Sequence, residues 1–262
     1  METDRGTKSI LRAIDSLNIL AENPKGISLA DLSHSVRMPK STLYRILNAL
    51  AERQLVRKDE DQDLYYLGYG ILRYSNAILE NIDLIRDAHP ILEELNEEIN
   101  ETIHLGILDP DSARIVYVDK LESTNVVRMV SRMGQSVPLH CTSLGKAYLS
   151  VLSEKVVNTL LGKSPLLRYT ANTITDQKEL LIQLEQIRQV GYAVDMCENE
   201  PNVICIGVPI KNREGKPLAA ISISAPSIRI TKEDIPNLGQ KALTAARKIS
   251  EIMSMMEIDI KV

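Results

Sequence analysis

The side chains best placed to do chemistry lie on one short stretch, Pro39-Lys-Ser-Thr-Leu-Tyr-Arg-Ile-Leu-Asn-Ala-Leu50. At helical spacing, Leu43, Ile46, Leu47 and Leu50 share one face. Lys40, Ser41, Tyr44, Arg45 and Asn48 share the other. Two cations, a hydroxyl, a phenol and an amide are groups that reach phosphates and base edges in a major groove. Pro39 suits the first turn, where its missing N–H costs nothing. Ser41, Tyr44 and Arg45 are the candidates for base or near-base contact, and Lys40 and Thr42 for phosphates. Arg45 could pair bidentately with guanine, for about 1–3 kcal/mol of discrimination. The competing reading is a polar face that is merely solvated, with Tyr44 packed on a neighbouring hairpin.

The surrounding elements favour the first reading. Ser9 to Glu22 reads as a helix with Ile10, Ala13, Ile14, Leu17 and Leu20 on its apolar face, stopped by Asn23-Pro-Lys-Gly26. Ser28 with Asp31 three residues on opens a short helix to about Val36. Two helices joined by a tight turn make a helix-turn-helix. Leu55–Lys58 and Leu64–Leu67 then read as strands around Asp59-Glu-Asp-Gln-Asp63, which completes a winged helix-turn-helix over residues 1–67. Four of the five loop residues are acidic, so the tip should point away from phosphates and leave only Arg57 and Lys58 to help. Residues 68–83 read as a linker helix. Its Leu72, Ala77 and Leu79 call for packing on a domain or a dimer contact.

From residue 84 to 262 the pattern is α+β. Leu84 to Asn100 is helical, with Pro90 expected to kink or split it. Thr102–Leu108, Arg114–Lys120 and Val126–Arg132 read as strands, with a turn at Asp109-Pro-Asp-Ser112. Thr142–Leu152, Ser153–Leu161 and Asp176–Val190 read as helices, the last ending at Gly191. Strands at Tyr192–Asp195, Val203–Lys211 and Leu218–Ala225 precede Thr231 to Met256, which closes the chain mostly as helix. Short strands in hairpins with helices on the sheet can hold a small-molecule pocket.

Composition narrows the function. With 262 residues the chain can bury a sizeable core in one or two domains. Having no Trp or Phe, it must build that core from Leu, Ile, Val, Met and Tyr. The net charge of −4 argues against indiscriminate nucleic-acid binding but allows a locally basic, sequence-specific face. No apolar run approaches the ~18 residues of a membrane span, and the N-terminus shows no signal peptide. Cys141, Cys197 and Cys205 are odd in number and lack Cys-x-x-Cys spacing. A cytoplasmic, reduced protein is expected. The sequence has no Gly-x-Ser-x-Gly elbow, glycine-rich phosphate loop or metal-spaced cluster, so no enzyme, cofactor or metal site is expected. A scaffold whose winged helix binds protein is the remaining alternative.

Two motifs carry a family resemblance. One is Arg132-Met-Gly-Gln-Ser-Val-Pro-Leu-His-Cys-Thr-Ser-Leu-Gly-Lys-Ala147. The other is Gly191-x3-Asp195-x2-Glu198-x6-Cys205-Ile-Gly-x2-Ile210, followed by Ile221-Ser-Ile-Ser224. With the winged helix, they resemble the IclR family of transcriptional regulators over essentially the whole chain. Lys211 departs from the family, which usually has an aromatic or His there. Asn81–Arg86 and Glu101–Gly106 resemble more narrowly the KdgR-like branch, which represses sugar-acid catabolic genes and is relieved by keto-sugar acids.

The resemblance implies a GAF-like effector-binding domain with an antiparallel sheet over residues 84–262. It also implies a homodimer or homotetramer on a palindromic double-stranded operator, acting as a repressor of carbon catabolic genes. The implied effector is a small carboxylate or keto-sugar acid. Matching the family's ligand-contacting pattern gives Met129, Ser143, Leu144, Asp195, Val203, Cys205, Ser222 and Ser224, with Leu144 narrowing the pocket. The residues fit a polar anion. Ser143 opens a helix, where free N–H groups favour a carboxylate, and Ser222 and Ser224 point to one side of a strand. Plainer readings stand beside this one: serines that face water, Cys205 as core filling, and Asp195 as a turn cap. His104 and His140 could be ligand donors or structural, and Arg128 and Arg132 could pair with a carboxylate. On a strand, Arg128 and Met129 would face opposite ways.

Overall fold

The computed structural model describes residues 5–59, 61–79 and 83–255. Glu60 of the wing loop, the end of the expected linker helix (80–82) and Met256 lie outside the described residues. The chain divides into two compact units, Met1–Asn81 and Ile82–Val262.

In the first unit, α1 (Arg5–Glu22) is followed by β1 (Ile27–Ser28), α2 (Leu29–Ser35), α3 (Lys40–Glu52), β2 (Val56–Asp59), β3 (Leu64–Leu67) and α4 (Ile71–Leu79). Ser28 caps α2, accepting the Asp31 N–H at 3.1 Å and donating to its carboxylate at 2.6 Å. Between α2 and α3 the chain turns through Arg37 at φ 49°, with the Met38 N–H on the Ser33 carbonyl and the Ser33 hydroxyl on the Met38 carbonyl. Leu20, Leu32, Met38, Leu43, Leu47, Val56 and Tyr65 bury together, so the three helices and the hairpin share one core. β1, too short to show in the sequence pattern, adds a third strand to the wing through Ile27 opposite Tyr65. α4 begins at Ile71 rather than Gly68, and its Leu72 and Tyr74 are mostly exposed.

The second unit is built on one antiparallel sheet, whose strands are β4 (Thr102–Asp109), β5 (Arg114–Leu121), β6 (Ser136–Pro138), β7 (Ala193–Met196), β8 (Val203–Lys211) and β9 (Pro217–Pro226). Their spatial order is β6-β5-β4-β9-β8-β7. Side chains alternate across each strand. Ile103, Leu105, Val208, Ile221 and Ile223 bury against α5 (Asp83–Ile99) and α9 (Ile235–Met255). The opposite face carries α6 (Ser143–Ser150), with α7 (Glu154–Lys163) and α8 (Gln177–Val190) beyond it in a second apolar cluster. Asp176 caps α8 by accepting the Lys178 and Glu179 N–H groups, and Gly191 ends it at φ 89°, a conformation glycine adopts freely.

Two expectations are corrected, and the start of the closing helix is fixed. Pro90 does not split α5, because Leu84, Ala88, Leu92 and Leu95 are locked into the core on both sides of it. The closing helix starts at Ile235, since the Asp234 carboxylate accepts the Thr231 N–H and hydroxyl and holds 231–234 as a turn. Val126–Arg132 is not a strand. Its β-forming side chains state a preference only, and the segment pairs with no strand of the sheet; β6 is the outer neighbour of β5, over Arg114–Val116. Polar tethers hold the segment instead: Arg229 donates to the Val127 carbonyl at 2.7 Å and Lys120 to the Ser131 carbonyl at 2.8 Å.

Candidate functional site

On α3, burying Leu43 and Leu47 turns Lys40, Ser41, Tyr44, Arg45 and Asn48 outward, all exposed. Thr42 is half-buried and, with Arg45, lines a groove against Ser9, Ile10 and Ala13 of α1. Pro39 takes the cap position, and its carbonyl accepts the Thr42 and Leu43 N–H groups. Tyr44 is 48% exposed, so it is not packed under the wing. The wing's own stacking is made by Arg57, whose guanidinium lies 4.1 Å from the Tyr66 ring centroid. Lys58 pairs with Asp63 at 2.9 Å. The wing's two basal cations are thus engaged within the hairpin, and the outward cations Lys40 and Arg45 belong to α3.

In the second unit, the sheet face under α6 is polar yet buried. Ser222 and Ser224 on β9, Cys205 on β8, Asp195 on β7 and Thr102 and His104 on β4 are all at least nine-tenths buried. Register puts Asp195 opposite Cys205, Cys205 opposite Ser224, and Ser224 opposite Thr102. The next rung runs Gly207, Ser222, His104. Val203 is half-buried at the start of β8, two residues from Cys205 and so on the same face.

The start of α6 comes down on this face. Thr142 caps it, accepting the Gly145 N–H at 3.1 Å. A Cβ on Gly207 would lie 2.3 Å from the Ser143 carbonyl oxygen, so only glycine lets the helix start rest there. The N–H groups of Ser143 and Leu144 have no intrahelical acceptor, and the helix dipole adds positive potential. A carboxylate suits that position. The Leu144 side chain enters the apolar cluster with Ile115 and Ala220, beside Gly106.

Asp195 proves to be a turn cap, its carboxylate accepting the N–H groups of Glu198 at 2.6 Å and Asn199 at 3.4 Å. Burial raises its pKa to about 7, against those bonds and nearby Lys146. Burial also pushes the Cys205 thiol well above its ordinary value, so it is a neutral thiol rather than a nucleophile. Met129 is buried within the tethered 126–132 segment, whereas Arg128 is exposed and pairs with Glu122 at 3.1 Å. Arg132 is exposed too, so neither arginine belongs to the face. The Nε2 of His140 donates to the Leu167 carbonyl at 3.0 Å, a structural bond.

Two contributors escaped the sequence reading. Lys146 is fully buried on α6, with Nζ 2.5 Å from the Glu198 carboxylate and from the Val194 carbonyl. It ties the helix to β7 and the turn after it. Tyr117, read only as a strand residue, stacks on His104 with ring centroids 4.4 Å apart. A lone lysine inside Ser-Leu-Gly-Lys-Ala-Tyr-Leu was the available signal for the first. Nothing in the spacing marked the second.

Among the described residues no group of His, Cys, Asp and Glu could hold a metal ion, and no helix is long and apolar enough to cross a membrane.

Comparison with known proteins gives the same two parts. Residues 9–60 match the IclR helix-turn-helix domain, and 76–251 match the C-terminal domain of the bacterial transcriptional regulator IclR. The chain is 38% identical to the HTH-type transcriptional regulator KdgR of Dickeya chrysanthemi, over 94% of this chain and 79% of that one. It is 30% identical to the transcriptional repressor IclR of Escherichia coli, over 93% and 89%. The crystal structure of the Thermotoga maritima IclR superposes with a TM-score of 0.80 at 32% identity, covering 94% of this chain and 99% of that one. The higher identity to KdgR supports the narrower resemblance drawn from residues 81–86 and 101–106.

Proposed function

Because the chain belongs to the IclR family of bacterial transcriptional regulators, we propose that it is a cytoplasmic repressor of carbon catabolic genes whose hold on DNA is set by a small carboxylate or keto-sugar acid. Lys40 and Thr42 contact phosphates in this reading, and Ser41, Tyr44 and Arg45 contact base edges of a palindromic operator. A homodimer or homotetramer supplies the paired winged helix-turn-helix domains (1–67), and the segment that contains α4 (Ile71–Leu79) links each to its effector domain (84–262). The repressor sign draws support from the Escherichia coli relative, itself a transcriptional repressor.

The observation that carries the effector reading is a helix start set on a buried polar sheet face. Ser143 and Leu144 offer N–H groups to a carboxylate, while Ser222, Ser224, Cys205, Asp195, Val203 and Met129 form the walls. The effector prefers one arrangement of the assembly and shifts its population, which changes whether both recognition helices meet their half-sites. A mobility shift of the full chain on DNA upstream of its own gene, with and without Arg45→Ala, tests the first half. A specific complex lost in the variant is expected. No shift for either protein would return the winged helix to a protein-binding role, and equal shifts for both would take Arg45 out of the DNA contact.

A further inference from the structure

A cleft of about 570 Å³ lies on the side of the sheet away from α6, where the β8–β9 hairpin meets α9. Its size falls within the roughly 300–1,000 Å³ of small-molecule sites. The floor is apolar, made by Val208 of β8 and by Leu243 and Ala246 of α9. The rim is cationic. Lys211 at the end of β8, Arg213 in the hairpin turn and Arg247 on α9 all line it and are all exposed. Among the described residues that line the cleft, Glu251 is the one carboxylate. The hairpin is fastened where these charges stand. The Lys211 N–H donates to the Ser250 hydroxyl of α9 at 3.1 Å. The Asn212 carboxamide oxygen accepts the Glu214 and Lys216 N–H groups at 3.0 and 2.9 Å, which fixes the turn that carries Arg213.

Neighbouring cations are already paired. Lys241 and Lys248 of α9 reach Glu98 and Glu94 of α5, and Lys216 pairs with Glu214. Lys211, Arg213 and Arg247 pair with no carboxylate among the described residues. Solvation alone favours like charges spread apart. Gathered round one concavity they repel, and the low-dielectric floor between them focuses their field on an anion. Lys211 is also the position at which this chain departs from its family, so the charge belongs to this chain rather than to the common fold. The balance sets the ligand. Three cations against one carboxylate leave a surplus of two positive charges. A single carboxylate answers only half of that. A phosphate monoester carries about −1.5 to −2 at pH 7 and offers three acceptor oxygens, which guanidinium forks match. The apolar floor calls for an apolar body behind that head.

We infer that this cleft is a second ligand site, for the phosphate monoester of an apolar alcohol, held by Lys211, Arg213 and Arg247 and separate from the polar face under α6.

The test is calorimetric titration of the full chain at low ionic strength with three probes. Phenyl phosphate carries both head and body. Benzenesulfonate keeps the ring with a single charge, and inorganic phosphate keeps the charge without the ring. Phenyl phosphate should bind once per chain, at least about tenfold more tightly than either of the others. Arg247→Gln and Lys211→Gln change exposed side chains and should leave the melting temperature in place. Each should weaken phenyl phosphate by at least about tenfold. Glu251→Gln removes the opposing charge and should strengthen it about two- to fivefold. Three probes that bind alike, or a phenyl phosphate affinity unmoved in the Arg247 and Lys211 variants, would overturn the inference. So would phenyl phosphate that does not bind at all.

Discussion

Asp195 shows how a single residue changes meaning between sequence and structure. In the motif it could neighbour an anion or cap a turn. The structure makes it the cap, and burial raises its pKa from 3.8 to about 7. Between those values the folded chain binds more protons than the unfolded one, so this group's contribution to stability falls as pH rises through that window. Asp195→Asn keeps an acceptor and removes the titration. Its melting temperature relative to the unsubstituted protein should be higher at pH 8 than at pH 4, which a pair of thermal scans checks. His104 acts with the opposite sign. Held neutral down to about pH 3, it contributes stability present above 6.5 and lost as pH falls toward 3. On α3, Arg45→Ala should weaken operator binding by about 1–3 kcal/mol. Because Arg45 is exposed, stability should move by no more than about 0.5 kcal/mol. Anisotropy and urea unfolding of the same sample separate the two effects.

At the scale of elements, periodicity made most of the fold legible, and the exceptions have physical causes. α3, α8, β8 and β9 were legible because their apolar residues repeat at one clear period and their ends carry caps or turns. β1 and β6 escaped because two or three residues cannot show alternation. Residues 126–132 misled because β-forming side chains describe only a preference, and here the segment is held by polar tethers from Arg229 and Lys120 instead of a ladder. The polar sheet face was half legible. Alternation marked Ser222 and Ser224, but the partners that bury them come from distant strands. The junction between α6 and the sheet gives two predictions. Gly207→Ala would force the Ser143 carbonyl away and should destabilise by about 1–3 kcal/mol, with effector affinity lost, by chemical denaturation and titration. Lys146→Met strands the Glu198 carboxylate in the interior and should cost about 3–5 kcal/mol, whereas Lys146→Met with Glu198→Leu should recover most of that loss. A double variant as unstable as the single one would mean the pair is not what fastens α6 to β7.

For the whole molecule, the claim is that two compact units, one presenting a basic helix face and one a buried anion-fitting face, are thermodynamically linked. A chain of net charge −4 has little general attraction to a polyanion, so its hold on DNA must come from local contacts and from simultaneous engagement of half-sites. That makes it sensitive to a modest shift in population. The most direct test is reciprocal linkage, with DNA affinity measured by anisotropy in the absence and in the presence of a saturating acid found by calorimetry. A change of about 100-fold, ~2.7 kcal/mol of coupling, is expected, mirrored by an equal change in acid affinity when DNA is saturating. A protein that binds both ligands with affinities independent of each other would contradict it.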